Sequence, residues 1–312
     1  MRRLTWPLVL ALVLVSAPGA EASCDLGRPV HEGLLIKPAP GSFYSSDALN
    51  PDVVPWRGKY FMFFSGNTER SPNGVWRTGM AISEHPAGPF RVARARASEF
   101  LNGSTIRFHG AFLQAANAWT GLAPVFYRSR NGRTWERRFD MPVPQAPSWR
   151  YWQSDMFLEA RSGGFDAFFA GRVGPTGADI GLGVYRDGRW RRFRRILQRE
   201  PGWDALDLGE PASFTWRGTR FLLYAGLPLQ GGARSIGLAR LTSRGWRRCG
   251  DAPLITAGTS WFRGNAIDPE PLVIGHRLYV YFGGGIRPSL GGGMDGKIGL
   301  RVYDLVGGRQ RP

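Results

Sequence analysis

The stretch Leu208–Gly226, LGEPASFTWRGTRFLLYAG, contains the pattern that decides the fold. An acidic residue is followed by an apolar run, a glycine turn and an aromatic strand that ends in a second glycine. Short β-rich runs bounded by Gly, Pro and Asn are typical of strands. The same plan recurs along the chain, and its turn glycines form one column: Gly58, Gly110, Gly163, Gly218 and Gly275.

A second column, which we call the ladder, lies seven or eight residues before each turn glycine. Its members are 52, 53, 55 and 58 residues apart, and such regular spacing indicates an internal repeat. Repeats of four short strands are typical of β-propeller blades. We therefore predict an all-β fold, a five-bladed β-propeller with four-stranded blades. The ladder residues are Asn50, Asn102, Asp155, Glu210 and Asp268.

The fifth repeat ends before its outermost strand. An aromatic residue near the start of the last strand marks the first four repeats, and the fifth has none: Phe90, Trp135, Trp190 and Trp246. Residues 24–36 are available upstream, so we predict that an N-terminal strand closes the ring by completing blade five. A bond between Cys24 and Cys249 would pin that strand near the junction of blades four and five. A disulfide is predicted for an oxidising compartment, and two unpaired thiols are the alternative.

The first 22 residues have the plan of a secretory signal peptide. A basic start precedes an apolar core at Leu8–Val15, and small residues follow at positions 20–22. The apolar core is too short to span a bilayer, which takes roughly 20 residues. We predict cleavage after Ala22, a single domain over residues 23–312, and a secreted or periplasmic monomer without a membrane span.

The formal net charge of +17 reflects a strong arginine bias, because only three of the 41 basic residues are lysines. The densest run, Arg189–Arg199, is predicted to lie on an outermost strand, where charge prevents edge-to-edge pairing. Attraction to an acidic polysaccharide is the lesser alternative. No nucleic-acid partner is predicted, since no binding motif is recognisable. The four histidines lack metal-ligand spacing, so no metal or cofactor is predicted.

The innermost strand of every blade lines the central channel of a propeller, so ladder residues are expected to converge at one mouth. Side chains alternate along a strand, which places Asn50 with Asp52 and Asp268 with Glu270. Acidic side chains are rarely buried unless they are paired. The ladder therefore predicts a polar funnel that a ligand can enter.

The motif Gly209-Glu210-Pro211, followed by an aromatic strand, resembles the five-bladed propeller glycosidases, especially glycoside hydrolase family 43 and relatives such as family 32. The resemblance covers most of the mature chain through its blade pattern. It implies an aspartate base on the first blade, a second aspartate that tunes and orients, and a glutamate as general acid. Asp155 and Glu210 match the second and third of these in type, order and spacing. The implied activity is inverting hydrolysis of a glycosidic bond.

The first ladder position departs from the family pattern, because Asn50-Pro51 stands where an Asp-Pro pair is usual and an amide cannot accept a proton from water. Asp47, Asp52 and Asp268 are the alternative bases. If the base has been lost, Asn50 would bind a sugar hydroxyl in a catalytically silent carbohydrate-binding propeller; a phosphorolytic relative is a further alternative. Predicted substrate-binding residues are Asn50, Asn102, Trp152 and Trp203.

Overall fold

Five antiparallel sheets, each of four strands, make up the fold in the computed structural model. It describes residues 24–69, 74–94, 98, 101–117, 124–142, 151–172, 177–258, 260–288 and 293–305, with residues 101–102 and 151–154 described by their backbone. The predicted signal peptide lies outside these ranges. In the described residues the one helical element is a short 3-10 turn, Ser260–Phe262, and none forms a helix long and apolar enough to cross a membrane.

Blades one to four follow the chain from their innermost to their outermost strand. Blade one comprises β2 (Asp47–Trp56), β3 (Lys59–Asn67), β4 (Trp76–Ser83) and β5 (Arg91–Val92). Blade two comprises β6 (Leu101–Phe108), β7 (Ala111–Asn117), β8 (Pro124–Ser129) and β9 (Glu136–Asp140). Blade three comprises β10 (Tyr151–Arg161), β11 (Gly164–Arg172), β12 (Ala178–Arg186) and β13 (Arg189–Leu197). Blade four comprises β14 (Asp207–Trp216), β15 (Thr219–Leu227), β16 (Ser235–Thr242) and β17 (Gly245–Arg248).

Blade five is completed by the N-terminal strand, as predicted. Its order from the axis outward is β18 (Asn265–Ile274), β19 (Arg277–Gly285), β20 (Lys297–Asp304) and β1 (Pro29–Ile36). The predicted Cys24–Cys249 disulfide is present, with the two Cα atoms 5.4 Å apart. It joins the residues before β1 to the residue after β17 and so fastens blade five to blade four. A disulfide that closes so long a loop typically stabilises a protein by about 2–4 kcal/mol.

A two-residue turn joins the first two strands of every blade, and the predicted glycine column occupies it. These glycines have φ between 59° and 77°, a left-handed conformation that costs glycine little. In blade five, Gly275 takes the first turn position, between the paired residues Ile274 and Arg277. In blade one, Gly58 takes the second. In both blades the ladder residue lies seven residues before the first residue of the turn. Its offset from the glycine is therefore seven residues in blade five and eight in blade one.

One apolar cluster fills each junction between neighbouring blades. The innermost strands of successive blades contact one another around the whole ring, including β18 with β2. Burial of these side chains is the main driving force that holds the blades together. Representative pairs, from the junction of blades one and two onward, are Phe61 with Phe112, Phe126 with Phe165, Phe168 with Leu222, Phe221 with Val280, and Tyr281 with Met62.

The recurring aromatic residue of the outermost strand packs toward the preceding blade. Trp246 of blade four, for example, is 7% exposed and joins the cluster between blades three and four. Blade five has no such aromatic residue, and Leu26 joins the corresponding cluster between blades four and five. The arginine run lies on β13, the outermost strand of blade three, as predicted. Of that run, Arg195 and Arg199 pair with Asp179.

Candidate active site

The ladder residues share an unusual backbone conformation. Asn50, Asp155, Glu210 and Asp268 all have φ between 49° and 52°, and in every blade the strand register shifts at the ladder position. Left-handed backbone costs roughly 1–2 kcal/mol for a residue other than glycine, and such residues cluster at functional sites. A bulge also redirects a side chain. Both features point to the ladder as a functional feature.

A pocket lies at the channel mouth, and the ladder residues of blades one, three, four and five line it. Proline follows three of the ladder residues directly, at positions 51, 211 and 269. Within a sheet, proline is restricted to bulges and edges because it has no N–H to donate. The side chain of Asn102 lies outside the described residues.

Glu210 and Asp268 are joined through the ladder itself, and we call this pair the upper carboxyl layer. Oε2 of Glu210 accepts the backbone N–H of Asp268 at 2.9 Å. In turn, Oδ2 of Asp268 accepts the backbone N–H of Asn50 at 3.0 Å, and Oδ1 accepts the Asn50 amide Nδ2 at 2.7 Å. Asn50 therefore holds Asp268 with two donors, a role that an aspartate at position 50 could fill only in part.

Both carboxyl groups of the upper layer are shifted toward the protonated form. Burial raises the pKa of Glu210 to about 7; the positive charge of Arg234 opposes the rise and Asp155 adds to it. Burial also raises the pKa of Asp268, and the charges of Glu210 and Asp155 contribute, against the hydrogen bond from Asn50. Glu210 likewise accepts the N–H of Asp268 and faces Arg234, so the ionised form of each group has polar partners that oppose the effect of burial. Because the charge of Glu210 raises the pKa of Asp268, ionisation of one of the two groups favours the protonated form of the other.

Two further carboxyl groups, Asp52 and Glu270, lie two residues beyond the ladder, and we call them the lower carboxyl layer. Oδ1 of Asp52 accepts the backbone N–H of Thr105 at 3.0 Å, and Glu270 accepts the backbone N–H of Val53. Each thus ties its own blade to the next. Asp52 is 2% exposed and does not line the pocket, whereas Glu270 lines it. Burial raises the pKa of Asp52 to about 7, and burial together with Asp52 raises the pKa of Glu270.

Asp47, one of the alternative bases, is fully buried and holds a neighbouring blade. Its two oxygens accept the backbone N–H groups of Gly293 and Gly296, each at 2.8 Å. Asn265 of blade five has the same register position, three residues before the ladder, and its Oδ1 accepts the N–H of Arg234 at 2.8 Å. This position is therefore a structural one in both blades.

Trp203, a predicted sugar-binding residue, packs on the sheet of its own blade. Its ring stacks on Tyr224 with centroids 5.8 Å apart, and a Cβ atom on Gly226 or Gly237 would lie 2.5 or 2.7 Å from the ring. Phe43 and Trp261 lie over glycines in the same way in blades one and five. Sugar stacking by Trp203 remains a prediction, and the side chain of Trp152 lies outside the described residues.

Arg234 is the residue that the sequence pattern did not reveal. It is 6% exposed, precedes β16, and forms an ion pair with Asp207. Its charge acts on Glu210, Asp207 and Asp155. The repeat offers no signal for it, because it lies in a connection between strands rather than on an innermost strand.

No protein-family model matches the chain, and no curated protein sequence matches it. Several solved structures are similar over most of their length. One belongs to a family of mannoside phosphorylases that contains glycoside hydrolases targeting β-1,2-mannosidic linkages; its TM-score is 0.68 at 14% identity, covering 95% of this chain and 97% of that chain. A second is an α-L-arabinofuranosidase from Podospora anserina in complex with cellotriose, with a TM-score of 0.65 at 11% identity, covering 87% and 95%.

A third is a β-1,2-mannobiose phosphorylase from Listeria innocua, with a TM-score of 0.64 at 12% identity, covering 89% of this chain and 93% of that chain. The chain has the fold of these propellers. The resemblance to five-bladed propeller glycosidases is thereby confirmed for the fold, whereas membership of family 43 in particular is not. At 11–14% identity, the likeness concerns the fold and leaves the chemistry to the residues of the site.

Proposed function

We propose that this protein is an exported glycoside hydrolase and that Glu210 is its general acid. One observation carries the proposal: at a pocket mouth, the ladder brings together a glutamic acid with a pKa of about 7 and two aspartates. Two carboxyl groups with different protonation states are what glycosidic hydrolysis needs. A general acid with its pKa near the working pH is also the most effective one.

Asp268 is the proposed base. Of the three alternatives, Asp47 is fully buried, and neither Asp47 nor Asp52 lines the pocket. Asp268 lines the pocket beside Glu210, and Asn50 favours its ionised form through two hydrogen bonds. Asp155 adds negative charge that raises the pKa of Glu210. Asp155 thus fills the tuning role.

The proposed reaction is a direct displacement by water. Glu210 gives its proton to the glycosidic oxygen as the bond to the anomeric carbon breaks, and a water molecule attacks that carbon. Asp268 takes the proton that the water loses. The two hydrogen bonds from Asn50 fix the orientation of the Asp268 carboxyl group at the pocket. Inversion of the anomeric carbon is the expected outcome, and proton NMR of the first-formed sugar measures it.

The substrate class is an oligo- or polysaccharide, reached outside the cytoplasm. The predicted signal peptide at residues 1–22 and the Cys24–Cys249 bond support export, since disulfides persist in oxidising compartments. A panel of nitrophenyl furanosides and pyranosides, together with plant and bacterial polysaccharides, would identify the sugar.

The decisive experiment compares Glu210→Gln with Asp52→Asn on a substrate found in that panel. On an oligosaccharide, Glu210→Gln is expected to lower kcat by about 10³-fold, since a positioned general acid contributes about 10²–10⁴-fold. On a nitrophenyl glycoside the loss should be much smaller, because that leaving group needs no proton. Asp52→Asn should retain turnover. Equal losses on both substrates, or unchanged turnover in Glu210→Gln, would refute the assignment.

A carbohydrate-binding propeller without turnover is the second candidate, and Asn50 is the observation that favours it. An amide occupies the position where the related glycosidases carry their base, and it is bonded to Asp268. This candidate predicts sugar binding by calorimetry with no product. Phosphorolysis is a third outcome of the same assay, and turnover that requires inorganic phosphate would identify it.

A further inference from the structure

We infer that Arg234 is a positioning residue that sets the place of Glu210 and Asp155 at the pocket mouth. The inference rests on the proposed function, since it treats Glu210 as the proton donor. Arg234 belongs to the connection between β15 and β16, so it approaches the ladder from outside the innermost strands. Its guanidinium is nevertheless buried beside Asp207 and beside two carboxyl groups that line the pocket, those of Glu210 and Asp155.

The backbone of Arg234 is fixed from the neighbouring blade. Its N–H donates to Oδ1 of Asn265 at 2.8 Å, and its carbonyl accepts the N–H of Ala266 at 2.9 Å. Asn265 is itself fully buried and donates through Nδ2 to the carbonyl of Arg287 at 3.2 Å. The arginine of blade four is therefore held in place by blade five, on both sides of its Cα atom.

The side chain of Arg234 passes over Gly209, the residue directly before Glu210. A Cβ atom on Gly209 would lie 3.3 Å from Nη1 of Arg234 and 3.7 Å from Oδ2 of Asp155. The missing side chain thus opens the space in which the guanidinium and the Asp155 carboxylate approach the ladder. At its other end, Nη2 of Arg234 is ion-paired with Asp207, whose Oδ1 accepts the N–H of Ala178.

The charged groups around Glu210 explain why a cation is needed at this point. Asp155, Asp207 and Asp268 approach Glu210 from blades three, four and five, and Arg234 is the cation that acts on it most strongly. Without the cation, the repulsion among these carboxylates would push them apart. It would also raise the pKa of Glu210 beyond about 7. Arg234 therefore acts on both geometry and proton affinity.

The test uses Arg234→Met and Arg234→Lys, with Arg248→Lys as the matched control. Arg248 is also ion-paired with two carboxylates, Asp204 and Glu200, but lies on the outermost strand β17. In Arg234→Met, the alkaline limb of the kcat/KM profile should move up by about one pH unit or more, the size of shift that one nearby charge causes. Its kcat should fall at least about tenfold, with KM changed less, because misplaced groups lower the rate of the chemical step.

Arg234→Lys retains the charge but not the planar fork, so it should restore the pH profile more fully than kcat. Gly209→Ala probes geometry alone: it should lower kcat and leave the alkaline limb nearly where it is. Arg248→Lys should match the wild type in both readouts. Variants that lose thermal stability but keep the wild-type pH profile and kcat would overturn the inference, since Arg234 would then be merely structural.

A second readout does not depend on turnover. Carbon-13 labelling of glutamate carboxyl groups, with the Glu210→Gln spectrum to assign the resonance, gives the titration of Glu210 directly. We expect its midpoint to rise by about one pH unit in Arg234→Met. An unmoved midpoint overturns the inference even in an active enzyme. A moved midpoint in a protein without hydrolytic activity would refute the proposed function and leave the role of Arg234 intact.

Discussion

The two carboxyl layers of the channel contain the same kind of ionisable group, but the contacts of these groups differ. Glu210 and Asp268 in the upper layer, and Asp52 and Glu270 in the lower, all have a pKa raised by burial. In the upper layer both residues have a left-handed backbone conformation and line the pocket, and Glu210 is only partly buried. In the lower layer Asp52 is sealed from the pocket and bonded to the next blade.

The comparison shows that a raised pKa by itself does not identify a catalytic acid. Burial away from water raises the pKa of any carboxyl group, whether that group takes part in a reaction or bonds one blade to the next. The upper layer is distinguished because both of its carboxyl groups line the pocket and both residues have a backbone conformation that costs free energy to hold. Such strain persists where the surrounding structure enforces it, which is typical of functional sites.

The largest expected effect is a loss of catalytic activity when a carboxyl group of the upper layer is replaced. Asp268→Asn should lower kcat on an oligosaccharide by about 10²–10³-fold, within the range of general base catalysis. The amide keeps an acceptor for one of the two donors of Asn50, so the loss of stability should not exceed the cost of one hydrogen bond to a charged group, about 1.5–3 kcal/mol. The measurement is steady-state kinetics beside a thermal melt. If Asp268→Asn were active and Asp52→Asn inactive, the base would belong to the lower layer.

The next effect is a change in the pH dependence of stability when Asp52 of the lower layer is replaced. Asp52 has a pKa of about 7 in the folded protein against 3.8 for the ordinary group, so the folded state holds a proton that the unfolded chain releases. Its contribution to the free energy of unfolding is complete below pH 3.8 and falls away as the pH rises to 7, by about 2–4 kcal/mol. Asp52→Asn should remove this fall, so it gains stability relative to the wild type between pH 5 and pH 8.

Urea unfolding at pH 5 and pH 8 measures this difference. Asp251→Asn is the matched control because Asp251 is an exposed aspartate that follows the outermost strand β17. Its unfolding curves should follow those of the wild type at both pH values. Parallel pH dependence of the wild type and Asp52→Asn would show that the buried carboxyl group of Asp52 is ionised at pH 5 in the folded protein.

The smallest expected effect concerns Asn50. Asn50→Asp would give the ladder the aspartate that the resemblance to propeller glycosidases implies, but it removes the amide donor to Asp268 and adds a like charge. We expect kcat/KM at pH 6 to fall about tenfold, since one lost hydrogen bond to a charged group costs about 1.5–3 kcal/mol. Asn50→Ala removes the donor without the charge and should lose less. A gain of activity in Asn50→Asp would instead place the natural base on blade one.

Much of the fold was predictable because a propeller repeats its local rules. A turn glycine needs a left-handed backbone wherever it occurs, so Gly58 and Gly218 mark equivalent turns without reference to the rest of the chain. The strand missing from blade five could be found by counting, and so could the disulfide that pins it. The ladder was equally visible, since its members share one register position.

The roles of the channel residues could not be predicted in the same way. Alternation along a strand places Asn50 and Asp52 on one side, whereas the bulge at the ladder separates a residue at the pocket from one sealed below it. Asp47, Asp52 and Asp268 are equivalent alternatives in the sequence. They differ in which N–H groups of the neighbouring blade reach their oxygens, and that depends on the packing of blades.

The sequence by itself determined the five blades, the closing strand and the column from which the site is built, because each depends on local backbone preferences repeated at a fixed interval. Tertiary structure alone decided that Asn50 donates its amide hydrogen bond to Asp268 and that Asp52 accepts an N–H of the next blade. It also decided that Arg234 lies beside Glu210. These contacts join residues of separate blades or connections. The physical reason is that hydrogen bonding, burial and charge depend on distance in space, which no interval along the chain records.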